Sequence, residues 1–230
     1  MKPKKVHCFF EQSGTFKSQF QKYGIKAIDY DIQNEYGNTD KIIDLFSEIR
    51  GGYDKIPTIF DKITSEDLIV AFFPCVRFSN QSILNFKGTN YGIIDKELRL
   101  KLAWDLKYNK ELCEMYELVT KLVINCIDRN IPLIIENPYA QQHYLVKYWA
   151  LDAAIIDKDR TLNGDYYNKP TQYFFVNCEP LNNLIFEPLE EVEYKVITET
   201  NNKTERSEIH PQYADRFIRQ YILDEEIWKE

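Results

Sequence analysis

Two short, predominantly apolar runs most constrain the fold of this sequence. The first covers residues 67–71 and the second covers residues 133–135, with a long stretch of helical periodicity between them. Runs of this kind are typical of strands that are buried on both faces, and strands alternating with helices indicate an open α/β sheet. The pattern therefore predicts an α/β fold, a doubly wound, Rossmann-like sheet with helices on both faces.

A reactive side chain follows each run. Pro74 and Cys75 come just after the first strand, and Glu136 comes directly after the second. Because open α/β sheets bind ligands at the carboxyl ends of their strands, we expect the thiol and the carboxylate to converge on one cleft. Cys75 is then a candidate nucleophile and Glu136 a candidate acid or orienting group. The plainer interpretation is that Cys75 is a small buried residue and that Glu136 accepts backbone hydrogen bonds.

The first 31 residues have the pattern of a nucleotide-binding βαβ unit. Residues 5–10 read as a strand, a turn containing Gly14 leads into an amphipathic helix, and residues 25–31 form a second strand that ends at Asp31. A carboxylate at this spacing from the glycine turn accepts hydrogen bonds from ribose hydroxyls in such units. Asp31 as a simple turn residue is the alternative.

The clearest helix is predicted over residues 104–130, where one apolar stripe recurs at helical spacing. Residues 80–103 are rich in Asn, Gly and Lys and are predicted to be a long mobile loop. Residues 187–208 are polar and acidic, which predicts a surface excursion. Further predicted elements are a short helix at 144–149, strands at 153–156 and 172–176, and a closing helix from 211.

Composition limits the classes of function. A chain of 230 residues with 44% hydrophobic residues is predicted to form a single domain over residues 1–230. The net charge of −7 argues against a broadly basic surface for duplex contact, although local basic patches remain compatible with it. We expect no membrane segment or signal peptide and a cytoplasmic location. The five cysteines and three histidines have no metal-ligand spacing, so we expect free thiols and no metal.

Taken in order, the motifs resemble those of the cytosine-5 DNA methyltransferase superfamily, and within it a short, phage-type, DNA-methylase-like branch that lacks a target-recognition domain. The resemblance spans about residues 5 to 222. The motifs that carry it are the turn Phe10-Glu11-Gln12-Ser13-Gly14, Asp31, Pro74-Cys75 with Phe78-Ser79, Glu136-Asn137, the segment from Gly164 to Thr171, and the segment from Arg206 to Ala214.

The resemblance implies a methyltransferase sheet and S-adenosylmethionine as the cofactor. It implies that the Cys75 thiolate attacks C6 of a cytosine ring, that Glu136 holds N3 and the amino group, and that C5 takes the methyl group. The cofactor contacts that it implies are Phe10, Glu11, Ser13 and Gly14, with Asp31 at the ribose and Asp44 towards the adenine. The implied substrate contacts are Pro74, Arg77, Ser79, Asn137 and Lys169.

The resemblance leaves two classes of function open. Cys75 and Glu136 favour a methyltransferase whose substrate is DNA or a nucleotide. Gln12 and Phe73 stand where the family has Gly and Pro, and a Gln-x-Arg-x-Arg element is missing. These departures favour a catalytically degenerate nucleotide or nucleic-acid binding module. Because no stretch is left for a target-recognition domain, a homodimer or a separate specificity partner is expected to complete duplex recognition.

Overall fold

The structure is a computed structural model that describes residues 1–79, 86–87, 96–196 and 205–229. Seven strands form one sheet in the order β3-β2-β1-β4-β5-β7-β6. The strands are β1 (Lys5–Phe9), β2 (Lys26–Asp31), β3 (Lys41–Ile42), β4 (Leu68–Phe72), β5 (Leu133–Pro138), β6 (Ile155–Asp157) and β7 (Thr171–Val176).

The described helices are distributed along the whole chain. They are α1 (Thr15–Lys22), α2 (Leu45–Tyr53), α3 (Leu98–Asp128), α4 (Tyr144–Tyr148), α5 (Pro211–Tyr221) and α6 (Glu225–Trp228). Short 3₁₀ turns cover Ile59–Lys62, Arg160–Asn163 and Glu205–Ser207. Within the described ranges, no helix has the length and hydropathy required to cross a lipid bilayer.

The sheet is parallel except at β7. Strands β1 to β5 pair in parallel, whereas β7 runs antiparallel to both β5 and β6. The order of β1 to β5 is that of a doubly wound sheet, and the strand order reverses between β1 and β4. Ligands of such sheets bind at this reversal, outside the carboxyl ends of the strands. The predicted α/β fold class is therefore confirmed.

Both faces of the sheet are covered because successive strand residues point to opposite sides. Ile69 and Ile135 pack on one face with residues of α2 and α3. Val70 and Ile134, one position away in each strand, pack on the other face with residues of α1 and α5. Strands that are apolar at every position are thus explained by two separate hydrophobic layers.

The loop predicted over residues 80–103 was too long, because its last residues, 98–103, are helical. Helix α3 begins at Leu98 rather than at residue 104 and ends at Asp128. Its first turns carry strong helix formers but expose Leu98 and Leu102, so no apolar stripe marked them as helical. The end is set by Asn130, whose φ of 52° is left-handed, and by the following Pro132. Residues 80–85 and 88–95 of the predicted loop lie outside the described residues.

Candidate active site

A cleft of about 1360 Å³ lies at the carboxyl ends of β1, β2, β4 and β5. It exceeds the roughly 300 to 1,000 Å³ of a site for one drug-sized molecule, so it has room for two adjoining ligands. Most of the residues that the sequence predicted for the site line this cleft: Phe10, Glu11, Ser13, Asp31, Asp44, Pro74, Cys75, Arg77, Ser79, Glu136 and Lys169. Gly14 and Asn137 are not among the lining residues.

Cys75 lies on a tight turn that follows β4. The backbone N–H of Phe78 donates to the Cys75 carbonyl over 2.9 Å, which closes the turn and leaves the thiol half-buried. Burial is the main cause that raises the pKa of Cys75, and Glu136 raises it further. The positive charges of Lys169 and Arg206 lower it. The sulfur is therefore a thiol at neutral pH, and two nearby cations favour its ionisation.

Glu136 lies on the neighbouring strand and at the same edge of the sheet. It is in register with Phe72, the last residue of β4, and with Tyr173 of β7. Its side chain is 6% exposed, and its Oε1 lies 3.6 Å from Nη1 of Arg160. The thiol and the carboxylate thus approach one cleft from adjacent strand ends. Sequence reasoning placed both residues there but did not identify Arg160.

Two predicted substrate contacts have partners within the protein. The Arg77 Nε donates to Oε2 of Glu111 over 2.5 Å, and its guanidinium lies 4.5 Å from the ring centre of Tyr108. Arg77 is therefore neutralised by α3 and attaches the cysteine turn to that helix. Asn137 is fully buried, and its Nδ2 donates to the carbonyl of Phe73 over 2.8 Å. This bond fixes the start of the cysteine turn against β5.

The first βα turn has an unusual internal anion. Glu11 is buried, and its carboxylate accepts hydrogen bonds from the backbone N–H groups of Phe16 (2.7 Å) and Lys17 (3.2 Å). Burial raises the pKa of Glu11 to about 7, although these bonds favour the ionised form. Gly14 begins α1 with a φ of 71°, a conformation that suits glycine. The N-terminus of α1, where a dinucleotide pyrophosphate would bind, is thus occupied by Glu11.

The two predicted acids at the cofactor end differ in availability. Asp31 ends β2, is 9% exposed, and accepts a hydrogen bond from the Gln33 backbone through Oδ1 (2.8 Å). Burial raises its pKa. Asp44 is exposed and begins α2, where its two carboxylate oxygens accept from Phe46 N (3.0 Å) and Ser47 Oγ (2.6 Å). Asp31 is therefore the acid better placed to accept ligand hydroxyl groups.

Sequence reasoning missed one buried histidine and misplaced one wall of the cleft. His143 lines the cleft, and its Nδ1 lies 3.3 Å from Nε2 of Gln172. Burial lowers the pKa of His143 to about 4, so its ring is neutral. The three histidines have no metal-ligand spacing, and no other pattern in the sequence marked His143 as part of a cleft. Residues 206–208, which belong to the predicted surface excursion of residues 187–208, also line the cleft, as does Ile209. Their polar and acidic composition gave no indication that they approach the cleft.

No known family model matches this sequence, and no curated protein matches it. Among solved structures, the Entamoeba histolytica methyltransferase EhMeth is similar with a TM-score of 0.37 and 16% sequence identity. The similarity covers 88% of this chain and 61% of that protein. The chain therefore spans less than two thirds of the length of EhMeth.

Proposed function

We propose that the protein is an S-adenosylmethionine-dependent methyltransferase that acts on C5 of cytosine, in DNA or in a nucleotide, through a covalent bond to Cys75. One observation carries the proposal. A thiol and a carboxylate from adjacent strand ends line one cleft, and this cleft extends to the acid that ends β2. A nucleophile and an acid group side by side are what addition to a pyrimidine ring requires.

The cofactor end of the cleft fits a nucleoside cofactor without phosphate. Asp31 offers carboxylate oxygen to ribose hydroxyl donors at the usual position for this fold. The carboxyl group of Glu11 occupies the N-terminus of α1 and accepts its backbone N–H groups, so these are not available to a pyrophosphate. S-Adenosylmethionine carries no phosphate, and when bound it supplies an electrophilic methyl group.

Cys75 would supply the electrons for the reaction. Its thiolate would add to C6 of the ring, and the electron pair of the C5–C6 double bond would move to C5. C5 would then take the methyl group of S-adenosylmethionine, and the methyl–sulfur bond would break with its electron pair going to sulfur, which leaves S-adenosylhomocysteine. A base then removes the proton from C5, the double bond forms again, and the Cys75–C6 bond breaks to return the thiolate. Lys169 and Arg206 favour the ionised sulfur at the start and at the end of this sequence.

Glu136 would hold the ring at N3 and at the exocyclic amine while charge develops in it. An acid group fixed near N3 in a largely dry site stabilises the charge that develops in the ring more than the same group would in water. If the substrate is duplex DNA, the base must also leave the stack, at a cost of a few kcal/mol. We propose that a second copy of the chain or a separate partner supplies duplex recognition.

A non-catalytic nucleotide or nucleic-acid binding module is the second candidate. It is favoured by the raised pKa of the half-buried Cys75 and by the neutralisation of Arg77 in its pair with Glu111. Both features leave the nucleophile less activated than a free thiolate beside an unpaired cation.

Covalent trapping separates the two candidates. The protein is incubated with S-adenosylmethionine and random-sequence DNA that contains 5-fluorocytosine. In this base fluorine replaces the C5 hydrogen, so no proton can be removed from C5 and the Cys75–C6 bond cannot break by elimination. We expect a stable adduct at Cys75 that is absent in Cys75→Ser. Cys113→Ser is the matched control, because Cys113 is an exposed cysteine on α3 outside the cleft. Cofactor binding without an adduct in the wild-type protein would favour the binding module.

A further inference from the structure

The first half of α3 extends beyond the body of the protein. Every residue from 98 to 111 is exposed or half-buried, and the first buried residue of the helix is Leu112. At 1.5 Å per residue, this segment spans about 21 Å. Tyr108, Glu111 and Met115 of the same helix line the cleft. The exposed segment therefore starts at the wall of the cleft and leads away from it.

A guanidinium and two aromatic rings form a stacking ladder along this segment. Arg77, two residues after Cys75, has its guanidinium 4.5 Å from the ring centre of Tyr108. The Tyr108 ring stacks on the ring of Trp104, with 5.5 Å between the ring centres and 27° between the planes. Trp104 is 37% exposed. The ladder thus leads from the cysteine turn to an aromatic ring that is open to solvent.

The charge of this segment is opposite to that of the whole chain. Residues 96–110 contain five Lys or Arg residues and two acids, a net charge of +3, whereas the chain carries −7. Lys107 Nζ lies 5.2 Å from the ring centre of Trp104. Lys101 precedes Trp104 by three positions and Tyr108 by seven, so it lies on the same side of the helix. Cations therefore flank the exposed end of the ladder.

A flat ring next to positive charge suits a nucleobase and the phosphates beside it. Bases of a single strand have free faces and stack on aromatic side chains whatever their sequence, and Lys and Arg neutralise the backbone. In a duplex the faces of the bases are covered by neighbouring base pairs, and a protein meets only the grooves and the phosphates. The stacking ladder therefore fits a single strand better than a duplex.

We propose that single-stranded DNA is the substrate class of this protein, and that a base flanking the target cytosine stacks on Trp104 while the target occupies the cleft. The inference rests on the proposed function and specifies its substrate. A target base in a single strand need not be pulled out of a duplex, so its unpairing costs nothing. Lys101 and Lys107 would contact phosphates on either side of the stacked base.

The test measures fluorescence anisotropy of a short labelled DNA strand of mixed sequence, alone and paired with its complement, in the same buffer. The DNA contains no 5-fluorocytosine, so no covalent step is needed. Trp104→Ala removes the outer ring, and Trp104→Tyr restores an aromatic face. Leu106→Ala is the matched control, because Leu106 is 72% exposed and, two positions from Trp104, lies on the other side of the helix.

We expect the wild-type protein to bind the single strand more tightly than the duplex. Trp104→Ala should weaken binding of the single strand at least about fivefold, because one base loses its stacking partner. Trp104→Tyr should recover most of this affinity, and Leu106→Ala should keep all of it. Circular dichroism checks that each variant retains its helix content.

The dependence of affinity on salt tests the charged part of the site. Lys101→Met should reduce the slope of log affinity against log salt by about 0.7, which corresponds to one phosphate contact of a single strand. Lys110→Met is the control, because Lys110 follows Lys101 by nine positions and so lies on the opposite side of the helix. An equal change of slope in the two variants would contradict a phosphate contact at Lys101.

Three outcomes overturn the inference: tighter binding of the duplex, unchanged affinity of Trp104→Ala for the single strand, or an equal loss in Leu106→Ala. If Trp104→Ala dissociates a dimer in sedimentation while its DNA affinity is unchanged, this face binds a second copy instead. The proposed function is judged separately by the adduct at Cys75. Binding of the strand through Trp104 without an adduct would refute the proposed chemistry and leave single-stranded DNA as the ligand of a binding module.

Discussion

Asp31→Asn tests the cofactor end of the cleft most directly. Asp31 is 9% exposed, and its Oδ1 accepts a hydrogen bond from the backbone N–H of Gln33 over 2.8 Å. Asparagine keeps an acceptor for that backbone group but removes the charge and one acceptor oxygen. A hydrogen bond to a charged group contributes about 1.5 to 3 kcal/mol, so binding of S-adenosylmethionine should weaken about 10-fold to 150-fold.

The assay is calorimetric titration of S-adenosylmethionine into each folded variant. Asp67→Asn is the matched control, because Asp67 is also a buried acid beside a strand and accepts a backbone hydrogen bond from Thr64 over 2.8 Å. It precedes the amino end of β4, away from the cleft, so its replacement should leave affinity unchanged. Equal dissociation constants for Asp31→Asn and the wild-type protein would remove Asp31 from the cofactor site.

Three further changes test other parts of the reasoning. Lys169→Met should raise the pKa of Cys75 further and slow its alkylation by iodoacetamide at pH 8, as followed by mass spectrometry; an equal rate would mean that Lys169 does not act on the thiol. The pKa of His143 is about 4 in the folded protein against 6.5 in the unfolded chain, so protonation of the unfolded state removes about 2 to 3 kcal/mol of stability as the pH falls from 6.5 to 4. The free energy of unfolding of His143→Phe, measured in urea, should therefore fall less steeply between pH 7 and pH 4.5 than that of the wild-type protein. Parallel curves would contradict this. Gly164→Ala should lower the free energy of unfolding, measured in urea, by about 1 to 3 kcal/mol. The φ of Gly164 is +84°, and an added Cβ would lie 2.4 Å from Nε2 of Gln212. An unchanged urea midpoint would show that the turn accommodates the added methyl group without cost.

Much of the fold followed from apolar patterning. Short apolar strands can be recognised from the sequence alone, and their alternation with amphipathic helices predicts a doubly wound sheet. The confirmed fold class rests on these elements. The start of α3 was mispredicted for the complementary reason: residues 98–103 are helical, but they face away from the core and carry no apolar stripe.

The antiparallel strand β7 could not be predicted in the same way. Its residues are apolar and aromatic, which indicates a buried strand but not its direction or its neighbours. Insertion of β7 between β5 and β6 is decided by the pairing of its whole length with β5, from Leu133↔Val176 to Pro138↔Thr171. This pairing brings Tyr173 opposite Glu136 and fixes the end of the loop that contains Arg160.

Local patterning was enough to show which residues follow the buried strands and to identify Cys75, Glu136 and Asp31 as candidates. That information is local, because an apolar run and the polar residue after it are adjacent in the chain. The electrostatic surroundings of these groups depend on the folded arrangement, which places Arg160 beside Glu136 and Glu11 at the N-terminus of α1. Charge contacts depend on distances of a few ångströms between distant parts of the chain, and strand register and helix packing set those distances.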